Sequence, residues 1–216
     1  MTTAQESAAD HSSFPPAAII LCGGRSSRMG VPKHALKFGE ITALERVISV
    51  AEAVASPIVA VGSRDQRWPT FSQGVLKLTD ELPYPGAMSG LIQGMQALPE
   101  TVDRVFLLGC DFPLVVESFL SLLNEYLTPE FDIVAPVQDG FPQPLLAMYR
   151  RNVLPVTSAL LSRGDRRMQS LLQECRTRLI PEETFCSADP DLQSLQNMNT
   201  PEDYQRLLRL FQSDEK

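Results

Sequence analysis

The sequence predicts an α/β fold: one three-layer domain with a mostly parallel central sheet and helices on both faces. Two observations predict it, and a third permits it. Short apolar runs with no polar alternation recur along the chain, as strands buried on both faces require. Segments with helical spacing of apolar residues separate them, the order of a parallel sheet built through crossovers. Hydrophobic residues make up 44% of the 216 residues, which supplies a core large enough to need no staples.

Ala17–Cys22 (AAIILC) is the first apolar run, and a glycine- and arginine-rich loop follows it. Ile41–Val54 has helical spacing, with Thr42 placed to cap it and Glu45 in capping-box position. Pro57–Val61 and Val75–Leu78 are the next runs, the latter ending at Thr79 and Asp80. A Pro/Gly loop over Leu82–Gly86 leads into a helical segment reaching about Leu98. Val105–Gly109 is a fourth strand, Cys110–Pro113 a turn and Glu117–Leu127 a helix. Phe131–Pro136 is a fifth strand. Asp139-Gly140 within Gln138–Pro142 is a hairpin signal, beyond which Leu145–Tyr149 pairs antiparallel. Helices follow around Asn152–Leu161 and Met168–Cys175, then late strands at Arg176–Ile180 and Asp191–Gln196. A last helix, Pro201–Phe211, opens on Asn199-Thr200-Pro201-Glu202. The result is a Rossmann-like arrangement. Right-handed crossovers place the strand-to-helix loops on one edge, outside the carboxyl ends of the strands, where open α/β sheets bind ligands.

The formal net charge of −7 argues against charge-driven binding to nucleic acid or an anionic membrane. It leaves room for one anion held by a few local cations and backbone N–H groups. Cys22, Cys110, Cys175 and Cys186 are scattered with no C-x-x-C pair, which disfavours zinc and suits a reducing cytoplasm. Met1–Pro16 has no basic start and no long apolar run and reads as a disordered arm before a domain over residues 17–216. No segment approaches the roughly 20 apolar residues of a membrane span. His11, His34 and Trp68 receive no catalytic role, and Trp68 is expected to pack.

The most informative segment runs from Leu21 and Cys22 through Gly23, Gly24, Arg25, Ser26, Ser27, Arg28, Met29, Gly30, Val31 and Pro32 to Lys33. Two glycines let the backbone approach a ligand, and successive N–H groups can then meet phosphate oxygens. Arg25, Arg28 and Lys33 concentrate three cations in an otherwise acidic chain. That is the chemistry of polyphosphate binding and charge neutralisation in group transfer. The pattern is neither G-x-x-x-x-G-K-[ST] nor G-x-G-x-x-G, which disfavours a P-loop kinase and a dinucleotide loop.

This stretch resembles the L-x-G-G-x-x-x-R-M-G-x-x-K signature of nucleotidyltransferases in the molybdenum cofactor guanylyltransferase group. The resemblance covers roughly residues 17–211. It implies that backbone groups of Leu21, Cys22, Gly23 and Gly24 recognise the base, while Arg28 and Lys33 hold the triphosphate; beside them Arg25 adds a supporting cation and Ser26 and Ser27 add hydroxyl donors. Asp80 matches an aspartate that contacts the guanosine, and Pro85-Gly86 with Gly90 matches a stretch facing the acceptor. Cys110-Asp111-Phe112-Pro113 matches the C-D-x-P motif whose aspartate binds Mg²⁺. One or two carboxylates with substrate phosphates are a usual Mg²⁺ set, and Asp111 follows the fourth strand on the ligand edge. Asn197 and Asn199, in Asn197–Asp203, match asparagines near metal and acceptor. Asp139-Gly140 with Gln143-Pro144, and Arg163–Arg167, match stretches near the acceptor. Gln143 stands where many relatives have histidine.

The activity so implied moves GMP from GTP to the terminal phosphate of molybdopterin, with or without molybdenum, and releases pyrophosphate. Arg28, Lys33 and Asp111 would carry the chemistry, and the product could pass through transient contact with molybdenum-inserting or molybdoenzyme proteins. Base choice stays open: Gly23 favours guanine, since cytidylyl relatives usually have alanine there. Pro32 stands where guanylyl members usually have aspartate, and Pro-Lys is commoner in cytidylyl relatives. A sugar-phosphate nucleotidyltransferase and a non-catalytic nucleotide-binding module are the other readings.

Overall fold

The structure is a computed structural model that describes residues 15–23, 30–69, 71, 74–79 and 86–214. Most of the expected N-terminal arm, loop residues 24–29 and the stretch from Asp80 to Pro85 lie outside the described residues.

Ten strands and six α-helices are defined among these residues. The strands are β1 (Ala17–Leu21), β2 (Lys37–Phe38), β3 (Ile41–Thr42), β4 (Ile58–Gly62), β5 (Val75–Thr79), β6 (Arg104–Gly109), β7 (Ile133–Gln138), β8 (Phe141–Pro142), β9 (Leu146–Arg150) and β10 (Thr177–Pro181). The helices are α1 (Ala43–Val54), α2 (Ala87–Ala97), α3 (Glu117–Glu125), α4 (Leu154–Ser162), α5 (Met168–Glu174) and α6 (Pro201–Asp214). The main sheet has the order β10-β7-β9-β6-β1-β4-β5, with β8 paired to β7. β6, β1, β4 and β5 are mutually parallel, and β10 is parallel to β7. β9 runs antiparallel to both its neighbours. The link from β7 to β9 is too short for a crossover, so the chain must return as a hairpin. The turn is made by Asp139 and Gly140, both at positive φ (50° and 80°).

Strand periodicity sorts the core onto two faces. Ala18, Ile20, Phe106, Leu108, Val134 and Met148 pack under α1 and α3. Their chain neighbours Ala17, Ile19, Val105, Leu107, Ile133 and Tyr149 pack under α2, α4 and α5. Helices thus cover both faces, as unbroken apolar strands require. Trp68 packs beside the first of these clusters, edge-on to Phe71 at 6.0 Å. The capping box of α1 forms as read: Thr42 Oγ1 accepts from Glu45 N (3.2 Å) and Glu45 accepts from Thr42 N (2.7 Å).

Two segments differ from expectation. Ile41 and Thr42 lie ahead of α1 in a two-stranded ribbon with Lys37 and Phe38. Phe38 is buried there against Tyr204 and Phe211 of α6, so a tertiary contact claims residues that helical spacing alone assigned to α1. Asp191–Gln196 is not a strand. Gln193–Leu195 forms a 3-10 turn, entered through Leu192 at φ 49°. The Asp189 carboxylate accepts from Gln193 N (3.1 Å) and Ser194 N (2.7 Å), a local alternative to a sheet ladder. Leu192 and Leu195, three apart, both reach the core.

Away from the ligand edge, Asp132 ties three elements together. Its carboxylate accepts from Arg176 Nη2 (2.6 Å), Arg176 Nε (3.0 Å), Arg176 N (3.1 Å) and Asn152 Nδ2 (2.7 Å). The Arg176 guanidinium holds the carboxyl well below its ordinary range. A depressed folded-state pKa contributes stability above the unfolded value of about 3.9, lost as pH falls below it. Asp132→Ala should therefore cost about 2 kcal/mol at neutral pH, because the charge-assisted hydrogen bonds to its buried carboxylate are lost. In urea unfolding, the gap between wild type and variant should narrow as the pH is lowered to about 3.

Candidate active site

β1, β4, β5 and β6 end on one edge of the sheet, and β7, antiparallel to β9 as β6 is, points the same way. Register places Leu21 opposite both Val61 and Gly109. The hydrogen bonding continues one residue further: Cys22 N donates to Val61 O (2.9 Å) and Cys110 N to Leu21 O (3.0 Å). The loops leaving β1 and β6 therefore start side by side.

Cys22 and Cys110 are buried here as thiols. Cys22 Sγ donates to Val61 O (3.3 Å) and accepts from Gln66 Nε2 (3.2 Å). Burial pushes the Cys110 thiol well above its ordinary pKa, which disfavours thiolate chemistry. Gly23 is exposed at the mouth of the loop. Gly24, Arg25, Ser26 and Arg28, with Asp80, lie outside the described residues.

The loop is described again from Gly30, whose φ of 66° favours glycine. Pro32 flanks a 3-10 turn over Lys33–Ala35, its carbonyl accepting from Ala35 N (3.1 Å). His34 turns inward and hydrogen-bonds the backbone of Cys22, and burial lowers its pKa. Its imidazole thus links the far end of the loop to the near end.

Lys33 points the other way. Its Nζ donates to Asp111 Oδ2 at 3.2 Å and to Asn199 Oδ1 at 2.6 Å. About a fifth of each of the Lys33 and Asp111 side chains is exposed (21% and 20%), so the pair is reachable yet partly screened from water. Three separate segments supply the three groups. Asp111 is set by Gly109, where a Cβ would collide with Asp111 Oδ1, and by Met198 N, which donates to Asp111 O (2.9 Å). Asn199 is set by the start of α6. Asp203 Oδ2 accepts from Asn199 N (3.0 Å) and Thr200 N (2.9 Å), and Thr200 Oγ1 accepts from Asp203 N (3.1 Å). Met198 between them is buried with Phe38, Leu114 and Leu207.

Of the residues singled out in the sequence, the structure brings together Lys33, Asp111 and Asn199. Asn197 is half-buried just ahead of Met198. Gly86, at φ 90°, precedes α2 and is exposed, whereas Gly90 is buried beneath Leu21, whose Cδ2 lies 2.7 Å from where a Cβ would stand. Gln143 is half-buried and donates to Phe141 O (3.2 Å). Arg163 and Arg167 pair with Glu174 (2.7 Å) and Asp165 (2.8 Å). The sequence motif Asn197–Asp203 gave Asp203 no role of its own, and Gln66 was not singled out. Asp203 carried a signal, as the acidic third residue of a helix begun by Thr200; Gln66, in an irregular loop, carried none.

A cation and a carboxylate meeting at the carboxyl edge of a parallel sheet, beside a glycine-rich loop, are the furniture of a nucleotide-handling α/β enzyme. Comparison with known proteins makes this specific. Residues 18–179 match the family described as the MobA-like NTP transferase domain, and the chain belongs to that family and is a nucleotidyltransferase. It is 30% identical over 191 residues to a probable molybdenum cofactor guanylyltransferase of Bacillus mycoides (strain KBAB4), covering 87% of this chain and 93% of that one. Identity is 31% over 194 residues, with the same coverage, to a protein of that name from Bacillus cereus (strain ATCC 10987 / NRS 248).

Solved structures agree in fold. Molybdopterin-guanine dinucleotide biosynthesis protein A from Archaeoglobus fulgidus superposes with a TM-score of 0.77 at 21% identity, over 91% of this chain and 99% of that one. 2-C-methyl-D-erythritol 4-phosphate cytidylyltransferase from Thermus thermophilus gives 0.70 at 15%, over 92% and 100%. Among the described residues no helix is long and apolar enough to cross a membrane.

Gly109→Ala should displace the Asp111 carboxylate with the sheet intact. We expect nucleotidyl transfer, followed as pyrophosphate release, to fall about a hundredfold. The thermal unfolding midpoint should drop by only the equivalent of about 1–3 kcal/mol.

Proposed function

We propose that this protein transfers GMP from GTP to the terminal phosphate of molybdopterin, with or without bound molybdenum, forming molybdopterin guanine dinucleotide and pyrophosphate. The convergence of Lys33, Asp111 and Asn199 at the carboxyl edge of the sheet carries the reading. The curated relatives named as probable guanylyltransferases support the substrates.

An acceptor phosphate oxygen attacks the α-phosphorus of GTP, and the bond to the β-phosphate oxygen breaks in line. The attacking oxygen is already anionic, so no general base is needed, and catalysis rests on positioning and charge. Lys33, with Arg28 and Arg25, neutralises the triphosphate and the departing pyrophosphate. Ser26 adds a hydroxyl donor. Backbone groups of Leu21, Cys22, Gly23 and Gly24 meet base and phosphates, and Asp80 the guanosine. Gly86, Asn197 and Asn199 face the acceptor, while Gly90 serves that side by letting α2 sit close beneath Leu21.

The residues fit a magnesium ion. The Asp111 carboxylate and the Asn199 amide oxygen are hard donors aimed at one cation, now the Lys33 ammonium, and substrate phosphates and water complete such a set. Bound Mg²⁺ would supply charge stabilisation to the phosphate oxygens. The reduced cysteines suit a reducing cytoplasm, where transient contact with molybdenum-inserting or molybdoenzyme proteins would pass the product on.

Pro32 favours a second reading, cytidylyl transfer, because it occupies the position that carries aspartate in guanylyl members. Pyrophosphate release with molybdopterin, Mg²⁺ and each of the four triphosphates separates the two. GTP should be used fastest; preference for CTP would overturn the base assignment, and no release with any triphosphate would overturn the activity. Asp111→Asn should lower turnover about a hundredfold or more with unchanged circular dichroism. Lys33→Ala should chiefly raise the KM for the triphosphate, which steady-state kinetics would read directly.

A further inference from the structure

The contact between Lys33, Asp111 and Asn199 has a property that a triphosphate-binding lysine does not require. The Lys33 ammonium lies between two oxygens contributed by segments 78 and 166 residues away along the chain, at 3.2 and 2.6 Å. Those oxygens are the carboxylate and amide donors that suit a divalent ion. Magnesium–oxygen distances are about 2.0–2.1 Å, so an ion bound to both oxygens would overlap the volume the ammonium fills. Two adjacent cations would also repel strongly in a partly screened site. The two occupancies exclude each other.

The groups around the ammonium are anchored, while its own stem can rotate. The backbone at Lys33 is tied through His34 to Cys22. Asp111 is held by Met198 N, and Asn199 by Asp203. The Lys33 side chain is a flexible four-carbon stem, able to swing away without moving the backbone.

We propose that Lys33 is a placeholder: in the nucleotide-free protein its ammonium occupies the oxygen pair that receives the divalent ion, and the site opens to metal as the triphosphate draws Lys33 away. This rests on the reading of Asp111 as the metal residue. It makes metal and triphosphate binding mutually reinforcing, because each favours the same position of one side chain, and linkage makes the coupling reciprocal. It also keeps the Asp111 carboxylate compensated before substrate arrives, without committing a metal ion to the nucleotide-free enzyme.

The test is a Mn²⁺ titration of the full, nucleotide-free chain, with unbound Mn²⁺ followed by electron paramagnetic resonance. Lys33→Met should bind Mn²⁺ at least about tenfold more tightly than wild type. The gain should persist at about 1 M KCl, where charges more than about 3 Å apart are screened, and should vanish in the Lys33→Met/Asp111→Asn double variant. If the gain disappears at high salt, Lys33 acts by long-range repulsion and the placeholder is overturned. If Lys33→Met binds no more tightly while Asp111→Asn weakens binding, the placeholder falls and the metal reading stands. If Asp111→Asn changes Mn²⁺ binding in neither background, the metal reading falls and takes the placeholder with it.

Discussion

The parallel pairing of β1 with β6 is the constraint on which the site depends. Residues far apart in the chain are brought into register, Leu21 opposite Gly109, and the bond from Cys110 N to Leu21 O carries the pairing past the strand ends. The pairing is secured far from any ligand. Ile19, Ile20, Phe106, Leu107 and Leu108 are fully buried on alternating faces, each contributing about 1.5–3 kcal/mol relative to exposure. Apolar burial in the middle of the sheet thus sets where a cationic and an acidic loop begin at its edge. Slipping the pairing by one residue would exchange the two core faces and separate the loops together.

Around that pairing the polar groups are arranged by short-range devices. Gly109 makes room for Asp111, His34 closes the loop that presents Lys33, and Asp203 both caps α6 and orients the Asn199 backbone. Each works within a few residues of the group it positions. The loops can therefore vary in composition without disturbing the sheet, which suits a fold shared at low identity by proteins named for guanine and for cytidine chemistry.

Much of this was legible in the sequence because the signals were local. Unbroken apolar runs marked β1, β4, β6 and β7, Thr42 with Glu45 announced α1, and Asp139-Gly140 announced the return into β9. Lys33 and Asp111 could be placed on the ligand edge because each follows an edge-ending strand. What could not be read was contact between distant segments. Nothing local says that Lys33 reaches Asn199, or that Gly90 is wanted for its closeness to Leu21 as well as for its place in a motif. The misread segment Asp191–Gln196 makes the same point: two leucines three apart fit a turn as well as a strand, and the Asp189 carboxylate decides for the turn. Phe38 and Thr42 belong to a ribbon because α6, from the far end of the chain, packs on it.

The attachment of α6 bears on which part of the molecule can open by itself. Every strand defined among the described residues precedes Asn199 in the chain, so the pairings of the sheet do not draw on the segment that carries it. Only when Met198 and Leu207 cover Phe38 and Leu114 does the third wall arrive. The sheet is thus closed by its own strands while the site is closed by a segment from the far end of the chain, so lifting α6 away would open the reaction centre with the sheet still paired.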